Sequence, residues 1–206
     1  MRIGIIGAGA IGQTVGRLLA AGGHDVSISW SSSDARLRIA AEHVGFGART
    51  ATPAQAVSDA DAVLFAPRFE HIDAAIQATG TLDGKVVIDT TNPYTPERDD
   101  LVDLGTQTAA EYVSARMPAA RYVKGFNTLT AGFLTESAHR AGPGRVVIFL
   151  SGDDSDAKRI AGALVRDAGF EPVDLGTVAD SAGQAPGGSY YGEEFHLADV
   201  PTLPRI

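Results

Sequence analysis

The chain contains no cysteine among its 206 residues, which excludes a disulfide framework, a thiolate nucleophile and a thiolate-held cluster. It also lacks any long hydrophobic run. Met1-Arg2 leads into an apolar stretch too short for a signal sequence, and nothing later approaches the length of a membrane span. A soluble, cytoplasmic protein is the default expectation. Basic residues are in deficit, and the formal net charge of −8, spread along the chain, offers no footprint for nucleic acid or an anionic membrane. His24, His43, His71, His139 and His196 have no metal-ligand spacing, so no metal is expected. No Gly-x-Ser-x-Gly arrangement occurs, and no catalytic acid, base or nucleophile is assigned.

What is present is enough apolar sequence, 44% of residues, to bury one full core. Strands are expected at Arg2 to Ile6, Asp25 to Trp30, Ala62 to Ala66, Lys85 to Thr90, Arg121 to Lys124 and Arg145 to Ser151. These runs are mostly too apolar to leave a solvent face, which is the pattern of a buried, largely parallel sheet. Helical patterns lie between them, near Ile11 to Ala21, Asp34 to His43, Phe69 to Ala78, Ala109 to Arg116 and Asp156 to Ala168, with a capping box at Thr108 and Glu111. The alternation predicts an α/β, doubly wound, mostly parallel sheet of the NAD(P)-binding Rossmann type. Residues 1–180 would form that domain, with 181–206 an irregular C-terminal segment packed on it.

The first strand runs into Gly7-Ala8-Gly9-Ala10-Ile11-Gly12 and then into a helix. A lone Gly-x-Gly-x-x-Gly is weak evidence in a chain with 24 glycines, but here it sits between strand and helix at the start of a βαβ unit, where its mechanics require it. Gly7 permits the tight turn, Gly9 lets the backbone approach a pyrophosphate, Gly12 lets helix and strand pack closely, and the free N–H groups at the helix start face the phosphates.

A carboxylate that would hold a ribose 2′-hydroxyl is missing. It belongs about 20 residues beyond the glycines, where this chain has Trp30 and then Ser31, Ser32 and Ser33, with Arg36 and Arg38 one turn on. Hydroxyls, helix-start N–H groups and nearby cations suit a 2′-phosphate, so the site reads as NADP. A plain helix cap followed by a polar loop would account for the same serines.

The open α/β rule places the ligand at the carboxyl ends of the strands. Ala66-Pro67, Asn92-Pro93 and Phe126-Asn127 follow three of them. The prolines would fix turns beside the dinucleotide, and Asn92 and Asn127 could bond a carboxamide or a substrate edge. Lys124 is a minor candidate for a general acid near Asn127, because a lysine closing an outer strand is more often simply solvated. Glu193 to His196 reads as a surface segment.

The segments "MRIGIIGAGAIGQTVGRLLAAGGHDV", "DAVLFAPRF", "KVVIDTTNPY", "VKGFNTL", "VIFLSGDDSDAK" and "DLGTVADSAGQAPGG" occur in this order. Together they resemble the NADPH-dependent coenzyme F420 reductase family over nearly the whole chain. Lys124 to Asn127 is similar also to the reductase domain of the six-transmembrane metalloreductases. The resemblance implies NADP(H) in the cleft and hydride exchange with a small-molecule redox acceptor, either coenzyme F420 or a flavin (FMN or FAD). It assigns Ala8, Gly9, Ala10 and Ile11 to the phosphate loop, Ser31 and Ser32 to the 2′-phosphate, and Ala66, Pro67, Asn92 and Pro93 to the nicotinamide side. The family's usual Ser-Arg pair is Ser31-Ser32 here, leaving Arg36 or Arg38 to supply charge, and "GFNTLTAGF" follows the metalloreductase-like members. A homodimer is plausible from the resemblance, and the residues neither support nor oppose it. A non-catalytic NADP sensor and a dehydrogenase of another small substrate are the alternatives. The latter normally adds a long helical domain, which the irregular tail cannot form.

Overall fold

The computed structural model describes residues 1–206. Eight strands, β1 (Arg2–Ile6), β2 (Asp25–Ser29), β3 (Arg49–Thr50), β4 (Ala62–Phe65), β5 (Val86–Asp89), β6 (Arg121–Lys124), β7 (Val147–Ser151) and β8 (Glu171–Gly176), form one sheet in the order β3-β2-β1-β4-β5-β6-β7-β8. All neighbours are parallel except β6 and β7, which are antiparallel and overlap only at Lys124 and Ser151. This is a doubly wound, mostly parallel α/β sheet.

Strand alternation divides the core between two faces. Ile3 and Ile5 point to one, covered by α1 (Ala10–Ala21), α2 (Asp34–Val44), α6 (Ala131–Ser137) and α7 (Ser155–Asp167). Ile6 points to the other, covered by α3 (Pro53–Ser58), α4 (Ile72–Thr79) and α5 (Ala109–Ser114). The capping box at Thr108 and Glu111 is formed, while the N-cap of α7 is Asp154, whose side chain accepts from the Ala157 N–H.

Four elements escape the sequence patterns. β3 has only two residues. β8 carries Pro172, which the outermost strand of a sheet tolerates. α3 and α6 are six and seven residues long, too short to display a helical period.

The C-terminal residues cover β7 and β8. Phe149 stacks on Tyr190 with ring centroids 4.5 Å apart and meets Phe195 edge-on at 5.6 Å. The Val147 N–H donates to the Phe195 carbonyl at 2.8 Å, on the side of β7 that β6 leaves open. Glu194 takes a hydrogen bond from Ser137 and an ion pair from Arg140 at 2.7 Å. The Glu193 to His196 run, expected as a surface segment, is therefore an anchor that ties the tail to α6 and the sheet.

Candidate active site

The glycine turn is built from main-chain contacts. Gly7 has φ +123°, and a Cβ there would lie 2.2 Å from the Ala66 carbonyl oxygen. A Cβ on Gly12 would lie 1.9 Å from the Gly7 carbonyl oxygen, so only glycine lets α1 start against β1. The Ala8 N–H donates to the Trp30 carbonyl at 3.0 Å and holds the turn against the end of β2. Gly9 is the N-cap of α1 and has no side-chain cap, and nothing lies within 4 Å of where its Cβ would be. The result is an open space in front of unsatisfied helix-start N–H groups, the arrangement that receives a phosphate.

At the end of β2, Trp30 adopts φ +64° and packs, half-buried, against the core face shared by α3 to α5. Ser31, Ser32 and Ser33 are exposed. The Ser33 hydroxyl accepts from the Arg36 N–H at 3.3 Å and caps α2, while the Arg36 guanidinium donates to the Ser32 hydroxyl at 3.3 Å. Ser33 is thus a cap, and Arg36 is the cation that lies beside Ser32.

A cleft of about 510 Å³ runs along the carboxyl ends of the strands. It brings together Gly9, Ala10, Ile11, Ala66, Pro67, Asn92, Phe126 and Asn127. Gly7, Ala8 and Gly12 support the turn from behind, Pro93 is buried outside the lining, and the serine loop lies beyond it. Phe126 borders the cleft at φ +54°, but its ring packs edge-on against Phe170 in the core, 6.4 Å away. It is therefore mainly a core residue. A larger depression, about 610 Å³, is lined by residues such as Glu111, Arg121 and Asp154 and includes none of the glycine turn. Size alone would select it, but the chemistry belongs to the smaller cleft.

The floor of the cleft is a hydrogen-bonded lattice that joins distant segments. The Asn127 amide donates to Asn92 Oδ1 at 3.0 Å and to the Gln184 carbonyl at 2.7 Å, and the Asn92 amide donates to the Asn127 carbonyl at 2.8 Å. The Tyr94 and Tyr191 hydroxyls are 3.0 Å apart. Burial, and then the bond to Tyr94, holds the Tyr191 hydroxyl above its ordinary pKa. Thr91 Oγ1, Asn127 Oδ1 and Gln184 Oε1 are buried with no partner. Tyr94, Tyr191 and Gln184 were not legible in the sequence, because Tyr191 and Gln184 reach the site from the irregular tail.

Lys124 is not solvated, and its strand is not an outer one. β6 lies between β5 and β7, and Lys124 is buried with its Nζ 2.8 Å from Asp89 Oδ2. It also donates to the Thr91 carbonyl. Tyr122 donates to the same Asp89 oxygen at 2.6 Å. Burial pulls the Lys124 ammonium below its ordinary pKa against the opposing pull of Asp89, and burial followed by the Asp89 charge pushes Tyr122 well up.

A doubly wound sheet, a glycine turn opening α1 and a cleft at the strand ends are the parts of a dinucleotide-binding domain. Residues 2–93 match the family described as NADP oxidoreductase, coenzyme F420-dependent. The chain is 29% identical over 182 residues to the metalloreductase STEAP3 of Rattus norvegicus, a match that spans 87% of this chain but only 35% of that protein. Among solved structures, the hypothetical protein SMa0349 of Sinorhizobium meliloti is 32% identical, with a TM-score of 0.86 and 95% of each chain covered. A proposed F420-dependent NADP-reductase of Arthrobacter is 25% identical, with a TM-score of 0.78 over 95% of this chain and 99% of that one. A reductive aminase of Aspergillus terreus, solved with NADPH, shares the fold at 24% identity and a TM-score of 0.62, covering 88% of this chain and 56% of that one.

Proposed function

We propose that this protein binds NADP(H) along the cleft and exchanges a hydride between its nicotinamide ring and a deazaflavin or flavin acceptor. The observation that carries the reading is the continuity of one cleft from the open Gly9 turn to the paired Asn92 and Asn127. Gly9, Ala10 and Ile11 would receive the pyrophosphate on the start of α1. Ser31, Ser32 and Arg36 would take the 2′-phosphate, a charge-assisted contact that NADH cannot make. Ala66 and Pro67 would flank the dinucleotide, and Asn92 with Asn127 would hold the ring end. The bound dinucleotide supplies two electrons and a proton as hydride. The contribution of the chain is to place two rings face to face and keep water out, work that depends on geometry more than on an acid or base.

Stopped-flow mixing of the NADPH-loaded protein with coenzyme F420, FMN and FAD tests this. Rapid loss of nicotinamide absorbance with at least one acceptor is expected. Tight NADPH binding with no oxidation by any of them would overturn the reading and favour a dinucleotide sensor.

A further inference from the structure

The charged group buried deepest in the molecule lies directly beneath the ring end of the cleft. Asp89 and Lys124 are the last residues of adjacent parallel strands and are register partners. The Asp89 side chain is 0% exposed and that of Lys124 3%. Removing two charges from water is costly, and a buried ion pair commonly does no better for stability than an apolar pair of the same volume. Its presence here calls for another account, which lies in what the two groups hold. Asp89 Oδ1 accepts the Thr91 N–H at 2.8 Å, and Lys124 Nζ donates to the Thr91 carbonyl. Both main-chain polar groups of one residue are gripped, one by the anion and one by the cation. Thr91 lines the cleft and leads directly into Asn92.

We infer that Asp89 and Lys124 are positioning residues, a charged clamp that fixes the Thr91–Asn92 wall against which the nicotinamide ring rests. The inference depends on the cleft reading of the previous section. Neither group touches substrate: with Asp89, Tyr122 and Thr91 packed around it, Lys124 is sealed from the cleft and does not act as a general acid. The clamp acts on ring placement, whereas most dinucleotide affinity comes from the phosphates. Hydride transfer therefore feels its loss more than binding does.

The test uses the full chain with the single substitution Lys124→Met and the double substitution Asp89→Asn/Lys124→Met. The single variant strands a buried carboxylate and is expected to be the less stable. The double variant removes both charges and keeps the volume, so it separates folding from positioning. For the double variant the NADPH dissociation constant should change by less than about threefold, while the first-turnover hydride rate falls roughly 10- to 100-fold. Time-resolved anisotropy of the bound nicotinamide should show a ring held in the parent protein and freed in the variant. A double variant with an immobile ring and a hydride rate within about twofold of the parent would overturn the inference. If the parent holds the ring and transfers to no acceptor, while the variant frees the ring, the hydride-transfer proposal fails and the clamp stands.

Discussion

Asn92 and Asn127 hold one another across the cleft floor: the Asn127 amide donates to Asn92 Oδ1 at 3.0 Å, and the Asn92 amide donates back to the Asn127 carbonyl at 2.8 Å. The second Asn127 amide bond, to the Gln184 carbonyl at 2.7 Å, brings in the C-terminal tail. Replacing Asn127 by Ala leaves two acceptors, the half-buried Asn92 Oδ1 and the buried Gln184 carbonyl, without this donor. A loss of about 1–3 kcal/mol is expected, read from urea unfolding, with a matching rise in proteolysis of the tail. Unchanged stability would mean that the tail is held without this bond.

The two inner glycines of the turn should fail differently. Gly12→Ala drives a methyl group into the Gly7 carbonyl and is expected to cost more than about 1–3 kcal/mol, because main chain cannot yield as a side chain can. Gly9→Ala meets nothing within 4 Å and should cost less than about 1 kcal/mol of cap energy. Its methyl group instead occupies the approach of the phosphates. Thermal melts should separate the two variants, and NADPH titration of Gly9→Ala should show binding weakened by about tenfold or more.

Arg36 lies beside Ser32, with its guanidinium 3.3 Å from the Ser32 hydroxyl. Arg36→Ala should lower the preference for NADPH over NADH by about tenfold, the value of one charge-assisted contact. Affinity for NADH should hardly move. An equal loss for both dinucleotides would show that Arg36 supports the loop without reading the phosphate.

Asp61 accepts from the Arg2 guanidinium at 2.7 Å and from the Arg2 N–H at 2.8 Å. These bonds lower its pKa from 3.8 to about 2. A carboxylate depressed in the folded state contributes stability above its unfolded pKa and loses it as pH falls through the folded one. The contribution is present above about pH 4 and disappears toward pH 2. Asp61→Asn should flatten that part of the acid unfolding curve. Both side chains are largely exposed, so added salt should shrink the difference.

The sheet and the glycine turn were legible in the sequence because their signals are local. Ile3 to Ile6 is an unbroken buried run without a polar side chain, and Gly7, Gly9 and Gly12 follow at fixed spacing. The ring end of the cleft was only half legible. Asn92 and Asn127 could be found as residues that follow strands, but Tyr191 meets Tyr94 across 97 positions in a segment with no periodicity. Lys124 was misread for a related reason: a lysine at a strand end signals solvent unless an acid waits on the next strand, and Asp89 becomes its neighbour only through the parallel register. Phe126, placed by its loop position near substrate, spends its ring on the core against Phe170.

The most direct test of the central claim is oxidation of NADPH carrying deuterium at one or the other C4 position, with coenzyme F420, FMN and FAD offered in turn. A cleft that fixes one face of the nicotinamide ring toward the acceptor predicts that only one of the two labelled forms passes deuterium on, with a slowed transfer step. Oxidation indifferent to which position is labelled, or no oxidation with any acceptor, would contradict it.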